Sequence, residues 1–364
     1  MSGVRRCVLA GAVLLLAGCG ADSPAPRADP QTTDQPSSPA PASPAPTLRE
    51  RPPTTRLLVV GDIMLGRGVA VPDAPTSPLR FMAGRIRSAD LAVGNLESTL
   101  SDAGTPQQPG DDSFAAPPGT LPGLERLGFD AMSVANNHLG DYGIPVMLET
   151  VDRIRGSRIV PFGAGADLAA ASRPAVLEHD GVRFGFVGFN AIGETSRATP
   201  GSPGALSVRM PPRTGPLQQS DLDHVTGVVE RLDHRVDVVV VLPHWGDQYV
   251  HASEPVQSLV GRQLVRAGAD LVVGGHPHVV QGLEPVGDAV VAHSLGNFVF
   301  DMDFLDDTME GVTLAATFRG DQLVDVELGP YRMGADFAPR PVTGAAAAAI
   351  LADVREHSRG RFAR

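Results

Sequence analysis

The hydrophobic positions of this 364-residue chain form short, nearly continuous runs from residue 56 onward. Apolar runs of a few residues are typical of strands that are buried on both faces of a sheet. Segments with helical spacing separate them, for example 144–154 and 255–267. This alternation predicts an α/β domain with parallel or mixed sheets. The predicted strands are 57–60, 91–93, 131–135, 182–189, 238–242, 271–273 and 290–292.

Polar side chains with metal-binding chemistry follow most of these runs directly. In α/β folds, ligands bind beyond the carboxyl ends of the strands, so these side chains are expected to meet in one site. Carboxylate, amide and imidazole groups together suit Mn, Fe, Zn, Mg or Ca. The candidate residues are Asp62, Asn95, Glu97, Asn137, His138, His244, His276 and His278.

Each of these short motifs also has a structural interpretation. A Gly-Asp pair after a strand is commonly a turn, Asn-Asn-His is compatible with turn chemistry, and a buried histidine such as His244 is commonly a hydrogen-bonded core residue. The sequence Gly-Gly-His-Pro-His at 274–278 favours function, because two histidines beside glycines at a strand end serve no evident packing purpose. The occurrence of five such strand ends in one chain strengthens the functional interpretation further.

The first nineteen residues predict a lipoprotein signal peptide. Arg5 and Arg6 precede an apolar stretch at 8–16, which is too short to span a bilayer as a mature helix. Leu-Ala-Gly-Cys at 16–19 resembles a bacterial lipobox, in which cleavage before Cys19 exposes a thiol that receives membrane lipid. We expect a protein anchored on the extracytoplasmic face of the cell membrane. The alternative is an ordinary signal peptide with a chance cysteine.

Composition divides the rest of the chain into three parts. Residues 20–54 are rich in Pro, Ala, Ser and Thr and predict a disordered, extended tether. Residues 55–335 carry the strand and helix patterns of the folded domain. Residues 336–364 are expected to be a C-terminal tail with an alanine-rich helix.

Charge and cysteine content restrict the kind of site. The net charge of −11 excludes nucleic-acid binding through a general positive field. Both cysteines, Cys7 and Cys19, lie in the predicted signal peptide. The folded part therefore has neither a disulfide nor a thiolate metal site, and a metal must be held by His, Asp, Glu or Asn.

Six ordered motifs carry a resemblance to a known family. Together they resemble the bacterial poly-γ-glutamate capsule biosynthesis family (CapA-type), over about residues 56 to 335. That family is similar to the calcineurin-like metallophosphoesterases. The resemblance implies a two-layered β-sandwich flanked by helices, with a two-metal site at the strand ends. The motifs are Gly-Asp-Ile-Met at 61–64, Gly-Asn-Leu-Glu at 94–97, Ala-Asn-Asn-His at 135–138, Pro-His-Trp-Gly at 243–246, Gly-His-Pro-His at 275–278 and Ser-Leu-Gly-Asn-Phe at 294–298.

The resemblance also implies roles for individual residues. His138 would be the general acid, and Asp141 would orient it. The metal ligands would be Asp62 and His278 for the first ion and Asn137, His244 and His276 for the second, with Asn95 at the position of a bridging carboxylate.

Two positions depart from the phosphoesterase pattern. Met64 stands where those enzymes have a histidine, and Asn95 replaces the bridging aspartate. Two neighbouring metal ions need an anionic bridge to offset their repulsion, and Glu97 is close enough in sequence to compensate. We expect Mn, Fe or Zn, with one ion bound tightly and a second bound weakly or not at all.

Three functions are compatible with the sequence. The first is a metal-dependent hydrolase that cleaves a phosphoester, or an amide or ester of an envelope polymer. The second is a non-catalytic scaffold or polymer-binding subunit of a membrane synthase or export complex, in which the metal supplies the positive charge that attracts an anionic polymer. The third is an extracellular protein that binds a small ligand, with an incidental histidine cluster. Fold similarity alone does not decide among them.

Overall fold

The computed structural model describes residues 52–71, 74 and 76–364. The predicted signal peptide, including Cys19, and nearly all of the predicted tether lie outside the described residues. The first strand begins at Thr54, the last residue of the expected tether. Among the described residues, no helix has the length and apolar character that a membrane span requires.

The described residues of the domain form eighteen strands. They are β1 (Thr54–Ile63), β2 (Leu91–Leu96), β3 (Thr99–Leu100), β4 (Ala115–Ala116), β5 (Ala131–Ser133), β6 (Val160–Phe162), β7 (Ala164–Gly165), β8 (Ala175–His179), β9 (Val182–Asn190), β10 (Gly204–Ala205), β11 (Val238–His244), β12 (Leu271–Val273), β13 (Leu283–Val286), β14 (Ala289–Ala292), β15 (Asn297–Val299), β16 (Glu310–Arg319), β17 (Gln322–Met333) and β18 (Pro339–Pro341).

In the same part of the chain, seven α-helices connect or cover these strands. They are α1 (Ala83–Arg87), α2 (Thr120–Leu127), α3 (Ile144–Arg155), α4 (Leu168–Ala171), α5 (Gln219–Asp233), α6 (Pro255–Arg266) and α7 (Gly344–Glu356). The two helices expected from helical spacing correspond to α3 and α6. Each of these helices has a proline in its first turn. Proline lacks a backbone N–H, and the N–H groups of a first turn have no partner within the helix, so proline is favoured at a helix start.

Two large sheets form the framework. The first has the order β18-β17-β16-β1-β2-β5-β6, with β15 also paired to β1, and the second has the order β13-β14-β12-β11-β9-β8. The central strands of both sheets run parallel. Antiparallel strands lie at both edges of the second sheet and on the β16–β18 side of the first, whose other edge strand, β6, pairs in parallel. The sequence predicted the parallel centre but not the antiparallel extension β16–β18.

The two sheets pack face to face around a shared apolar core. Leu57 and Val59 of the first sheet belong to the same buried cluster as Phe186 and Val240 of the second. The ring of Phe184 meets that of Phe318 edge to face across the sandwich, with centroids 5.4 Å apart. Because both faces of each sheet are buried, the central strands are continuous apolar runs.

Helices cover the outer faces of the sandwich. On the first sheet, Leu124 of α2 and Met147 of α3 join the cluster that contains Val60. On the second sheet, Val229 of α5 and Leu264 of α6 lie in one cluster with strand residues. The architecture is the two-layered β-sandwich flanked by helices that the resemblance implies.

The C-terminal segment packs onto the sandwich. β18 pairs with β17, and Ile350 and Val354 of α7 are buried in the core between the sheets. The described residues up to the C-terminus thus form one compact unit that extends past residue 335. The alanine-rich stretch is helical because alanine loses the least side-chain entropy in a helix.

We expect the stability of the protein to depend on pH through Asp270, which directly precedes β12. Burial raises the pKa of Asp270 to about 6, although its carboxylate accepts a hydrogen bond from the Val239 N–H. Because the folded-state pKa lies above the unfolded value, the ionised carboxylate costs stability above pH 6, and the cost disappears below the unfolded pKa. Asp270→Asn is expected to stabilise the protein by about 1–2 kcal/mol at pH 7.5 and not at pH 3.5. Thermal unfolding at both pH values measures this, and equal shifts would contradict it.

Candidate metal site

The candidate residues meet at the carboxyl ends of the central strands of both sheets. Asp62 lies near the end of β1 and is directly opposite Asn95 in the register with β2. His244 ends β11, and a bridge joins it to Gly275, the residue before His276. The parallel strand directions therefore bring residues that are far apart in sequence to one point.

Two groups of buried side chains have the geometry of metal ligands. Glu97, His244 and His276 form one group, and Asp62, Glu97 and His278 form the other. Within each group the candidate ligand atoms lie within 4.8 Å of one another. Glu97 belongs to both groups, so its carboxylate occupies the position between them that a bridging ligand would take.

The unpaired atoms at this point fit a cation. The Oε1 atom of Glu97, both ring nitrogens of His276 and the Nε2 atom of His278 are buried and have no hydrogen-bond partner among the described residues. Buried polar atoms without partners are costly, and several of them facing one point indicate a missing ligand. Oxygen and imidazole nitrogen donors suit Mn, Fe or Zn.

The electrostatics of the groups agree with this interpretation. Burial raises the pKa of Glu97 well above its ordinary value, and the negative charge of Asp62 adds to the shift. Burial lowers the pKa values of His244 and His276 well below the ordinary value and that of His278 to about 4. The three histidines are therefore neutral, which is the form that binds metal. A nearby cation would stabilise the ionised form of the buried carboxylates.

Two asparagines at the site are engaged with neighbouring side chains. The Asn95 amide nitrogen donates to Asp62 at 2.9 Å and to Glu97 at 3.2 Å, while its oxygen accepts from Asn136 at 3.0 Å. The Asn137 oxygen lies 2.8 Å from Nε2 of His244. In this arrangement Asn95 presents a hydrogen-bond donor to the carboxylates, and Glu97 supplies the anionic oxygen between the two groups.

Met64 does not present a ligand to the site. Its side chain is fully buried, and its sulfur lies 3.1 Å from the backbone nitrogen of Gly66. The group of Asp62, Glu97 and His278 therefore contains no counterpart of the histidine that the phosphoesterase pattern has at position 64.

His138 and Asp141 form a hydrogen-bonded pair beside the metal groups. Nδ1 of His138 lies 2.7 Å from Oδ2 of Asp141, and its Nε2 lies 4.0 Å from Oε1 of Glu97. The ring of Phe114 stacks on the imidazole with centroids 3.8 Å apart. The backbone N–H of Phe114 also donates to the carboxylate of Asp141. The hydrogen bond to Asp141 and the stacked ring of Phe114 together hold the imidazole with Nε2 directed towards the site.

The His-Pro-His loop has an unusual backbone. His276 and His278 adopt positive φ angles of 96° and 61°, which non-glycine residues rarely do. Such strain persists where the surrounding structure holds it and is concentrated at functional sites. The loop places both imidazoles next to the carboxylates of Asp62 and Glu97.

Asn297 of β15 orients one of these imidazoles. Its Oδ1 lies 2.8 Å from Nδ1 of His278, while its amide nitrogen donates to the Thr308 carbonyl. A proton on Nδ1 leaves Nε2 of His278 free to bind metal.

Asn297→Ala is expected to weaken metal binding because the hydrogen bond that fixes the His278 tautomer is lost. Removing a residue that orients a ligand typically costs ~10–100-fold in metal affinity. Metal titration measures the effect, with Gln107→Ala in an exposed loop as the control variant. Wild-type affinity in Asn297→Ala would show that the hydrogen bond does not support the site.

Several residues at the site have no assigned role in the sequence analysis. Asn297 lies in one of the six motifs, and Asn136 directly precedes Asn137 and His138. The sequence therefore contained a signal for both residues. Glu194 and Phe114 lie in long segments without a helical or strand pattern, so neither could be predicted from the sequence. The Glu194 carboxylate lies 2.6 Å from the Asn137 amide nitrogen. Trp245 is fully buried and donates to the His293 carbonyl, as a packing residue does.

A comparison with protein-family models identifies the family of this chain. Residues 56–302 match the model of the family described as "Bacterial capsule synthesis protein PGA_cap". The chain belongs to this family. The match covers more than half of the chain and includes every candidate metal ligand. The family assignment and the observed architecture together establish the calcineurin-like fold that the resemblance implies.

Curated relatives carry consistent names. The chain is 28% identical over 296 residues to the capsule biosynthesis protein CapA of Bacillus anthracis, covering 79% of this chain and 70% of that protein. It is 29% identical over 248 residues to the PGA biosynthesis protein CapA of Bacillus subtilis, covering 66% of this chain and 62% of that protein. A probable polyglutamine synthesis accessory protein of Mycobacterium tuberculosis is 27% identical over 293 residues, covering 69% and 76%.

Among solved structures, a hypothetical protein from Thermus thermophilus aligns over 76% of this chain and 99% of its own, with 16% identity and a TM-score of 0.46. The NAD nucleotidase of Haemophilus influenzae aligns over 83% and 55%, with 10% identity and a TM-score of 0.44.

Proposed function

We propose that this protein is a lipid-anchored, divalent-metal-dependent hydrolase that acts on an envelope polymer or its precursor outside the cytoplasmic membrane. The observation that carries the proposal is the position of Glu97. Its fully buried carboxylate is shared by two groups of candidate ligands and lies 4.0 Å from the imidazole of His138. An acid–base pair next to a carboxylate shared by two ligand groups supports metal-assisted hydrolysis.

Each part of the site has a task in this proposal. Asp62, Glu97, His244, His276 and His278 would hold the metal. When bound, the metal would polarise a phosphoryl or acyl oxygen and lower the pKa of water.

The chain's own residues would complete the reaction. Asp141 accepts the hydrogen bond from Nδ1–H of His138 and stabilises the imidazolium form of the ring, whose Nε2 proton would pass to the leaving group and leave a neutral imidazole. Phe114 covers one face of the imidazole and limits the access of water to it.

A hydrolysis screen tests the proposal. The purified protein is loaded with manganese, zinc or iron and assayed with chromogenic phosphomonoesters, phosphodiesters, esters and amides. The proposal predicts turnover of at least one class, which is lost with a chelator and restored by metal. A protein that retains its metal and hydrolyses none of the probes or envelope polymers would contradict it.

A second function is favoured by the names of the relatives. One of them is described as a probable accessory protein of polyglutamine synthesis. By that analogy the domain would be a non-catalytic subunit of a membrane synthase or export complex, and the metal would attract an anionic polymer. Ligand variants that stop polymer production, in a protein without hydrolytic activity, would support this function.

The membrane attachment is part of the proposal. Cys19 would carry the lipid, and residues 20–54 would separate the domain from the membrane surface. Metabolic labelling with a palmitate analogue tests this, because Cys19→Ser would lose the label and release the protein from the membrane fraction. A labelled Cys19→Ser protein would contradict lipid attachment at this residue.

A further inference from the structure

Asn137 has a buried side chain that lies beside one of the two ligand groups, the group of Glu97, His244 and His276. Its amide oxygen lies 2.8 Å from Nε2 of His244, and that nitrogen lies 3.7 Å from Oε1 of Glu97. The Asn137 oxygen is therefore next to an imidazole nitrogen that faces the candidate ligands. It is within reach of a cation bound to that nitrogen, and oxygen ligands suit the same metals as imidazole.

Glu194 determines which end of the Asn137 amide faces this group. One carboxylate oxygen of Glu194 accepts a hydrogen bond from the Asn137 amide nitrogen at 2.6 Å. An ionised carboxylate can only accept, so this contact requires the NH2 end of the amide and turns the oxygen end towards His244. Without Glu194, the amide could rotate by half a turn and present its NH2 group, which has no lone pair to offer a cation.

The segment around Glu194 is fastened to the site on both sides. The Thr195 hydroxyl donates to the Asn137 carbonyl at 2.9 Å and accepts from the Gly140 N–H at 2.9 Å. On the other side, the side chain of Asn190, the last residue of β9, bonds two backbone groups of the loop that leads to Glu194, both at 2.9 Å. Glu194 itself adopts a positive φ of 59°, a conformation that persists where the surrounding contacts hold it.

Arg213 balances the charge of Glu194. The second carboxylate oxygen of Glu194 lies 3.2 Å from the Arg213 guanidinium, so each oxygen of the carboxylate has one partner. Burial raises the pKa of Glu97, and the negative charge of Glu194 adds to the shift. Burial lowers the pKa of His276, and the positive charge of Arg213 adds to that shift. The ion pair therefore permits a charge-assisted hydrogen bond to Asn137 without a further net negative charge beside the ligand groups.

We propose that Glu194 is a positioning residue for the metal site, which orients the Asn137 amide so that its oxygen joins the ligand group of His244. Glu194 belongs to neither ligand group and acts through Asn137. The segment that follows β9 therefore contributes to metal binding, although it contains none of the six motifs. The inference rests on the proposed function for the presence of a metal, but it does not depend on hydrolysis.

Metal titration of the purified, metal-free protein tests this role, with manganese to measure affinity and cobalt as a spectroscopic probe. Glu194→Ala removes the acceptor and is expected to lower the affinity by about tenfold. This is the lower end of the usual effect of a ligand-orienting residue, because the partly exposed carboxylate of Glu194 can be replaced in part by water. The visible spectrum of bound cobalt should also change, since the amide oxygen is then free to turn away.

Glu194→Gln should restore most of the affinity and the wild-type cobalt spectrum. The glutamine oxygen can still accept from the buried Asn137 amide, as a neutral and therefore weaker partner. The Arg213 guanidinium is 37% exposed and can turn to water. A loss of affinity in this variant as large as in Glu194→Ala would contradict an orienting hydrogen bond.

Glu149→Ala is a matched control. Glu149 of α3 likewise pairs with an arginine, Arg153, and accepts a hydrogen bond from a second side chain, that of Ser101. It belongs to neither ligand group, so its loss should leave the metal affinity and the cobalt spectrum at the wild-type values.

A double-mutant cycle shows whether Glu194 acts through Asn137. In an Asn137→Ala background, Glu194→Ala should cause no further loss of affinity, because the amide that it orients is gone. An equal loss in both backgrounds, or wild-type affinity and spectrum in Glu194→Ala, would overturn the inference. The expected metal effects in a protein without hydrolytic activity would contradict the proposed hydrolase alone. Metal-dependent hydrolysis with unchanged metal binding in Glu194→Ala would contradict this inference alone.

Discussion

Glu97→Gln is expected to remove metal from both ligand groups while leaving the fold intact. Glu97 is common to the two groups, so its replacement removes an anionic ligand from each. Loss of a residue that merely orients a ligand costs ~10–100-fold in affinity, and loss of the shared carboxylate should cost more than ~100-fold. Metal content after equilibration with manganese or zinc measures the effect.

Folding stability separates this result from simple unfolding. The Oε1 atom of Glu97 has no hydrogen-bond partner among the described residues, and burial raises the pKa of the carboxyl, so an uncharged glutamine should keep or increase the stability of the metal-free protein. Glu284→Gln is a matched control, because Glu284 is also buried but forms ion pairs with Arg262 and Arg359. That variant should lose stability and retain metal. Full metal content in Glu97→Gln would show that Glu97 is not a ligand.

His138→Ala is expected to lower kcat by about 10²–10⁴-fold, the usual contribution of a general acid. The loss should be greatest for substrates with poor leaving groups, such as alkyl esters, because these need a proton most. Nitrophenyl esters, whose leaving group is already a stable anion, should be affected least. Metal content should stay at the wild-type level, since His138 belongs to neither ligand group.

Two further variants define this result. His234→Ala removes an exposed histidine on the surface and should leave kcat unchanged. Phe114→Leu removes the ring that stacks on His138 and should show the same leaving-group dependence with a smaller loss. If turnover in His138→Ala equals that of the wild type for every leaving group, His138 is not the general acid.

The local sequence predicted much of the fold because each central strand is buried on both faces. The runs at 57–60, 238–242 and 271–273 read as strands without knowledge of their partners, and the polar residues after them indicated the edge where the site lies. The His-Pro-His motif indicated function because its two histidines directly follow a strand and have no evident packing role. The structure places them among buried ligand groups.

Other features depend on contacts that no local pattern encodes. Phe114 belongs to a glycine- and proline-rich excursion, and only the folded chain brings its ring onto His138. The sequence suggested that Glu97 compensates for Asn95. It did not indicate that the Asn95 amide would hold both carboxylates through hydrogen bonds. The strands β16–β18 were missed, although β16 is itself a nearly continuous buried run. β17 mixes exposed with half-buried residues, in contrast to the continuous runs of the sheet centre.

Quantitative metal analysis of the purified protein tests the central claim most directly. The wild type and a His276→Ala, His278→Ala double variant are incubated with manganese, zinc and iron, desalted and analysed side by side. The account predicts about one or two equivalents of metal in the wild type, in line with its two candidate ligand groups that share one carboxylate, and loss of metal in the double variant. No bound metal in the wild type under any of these conditions would contradict the account.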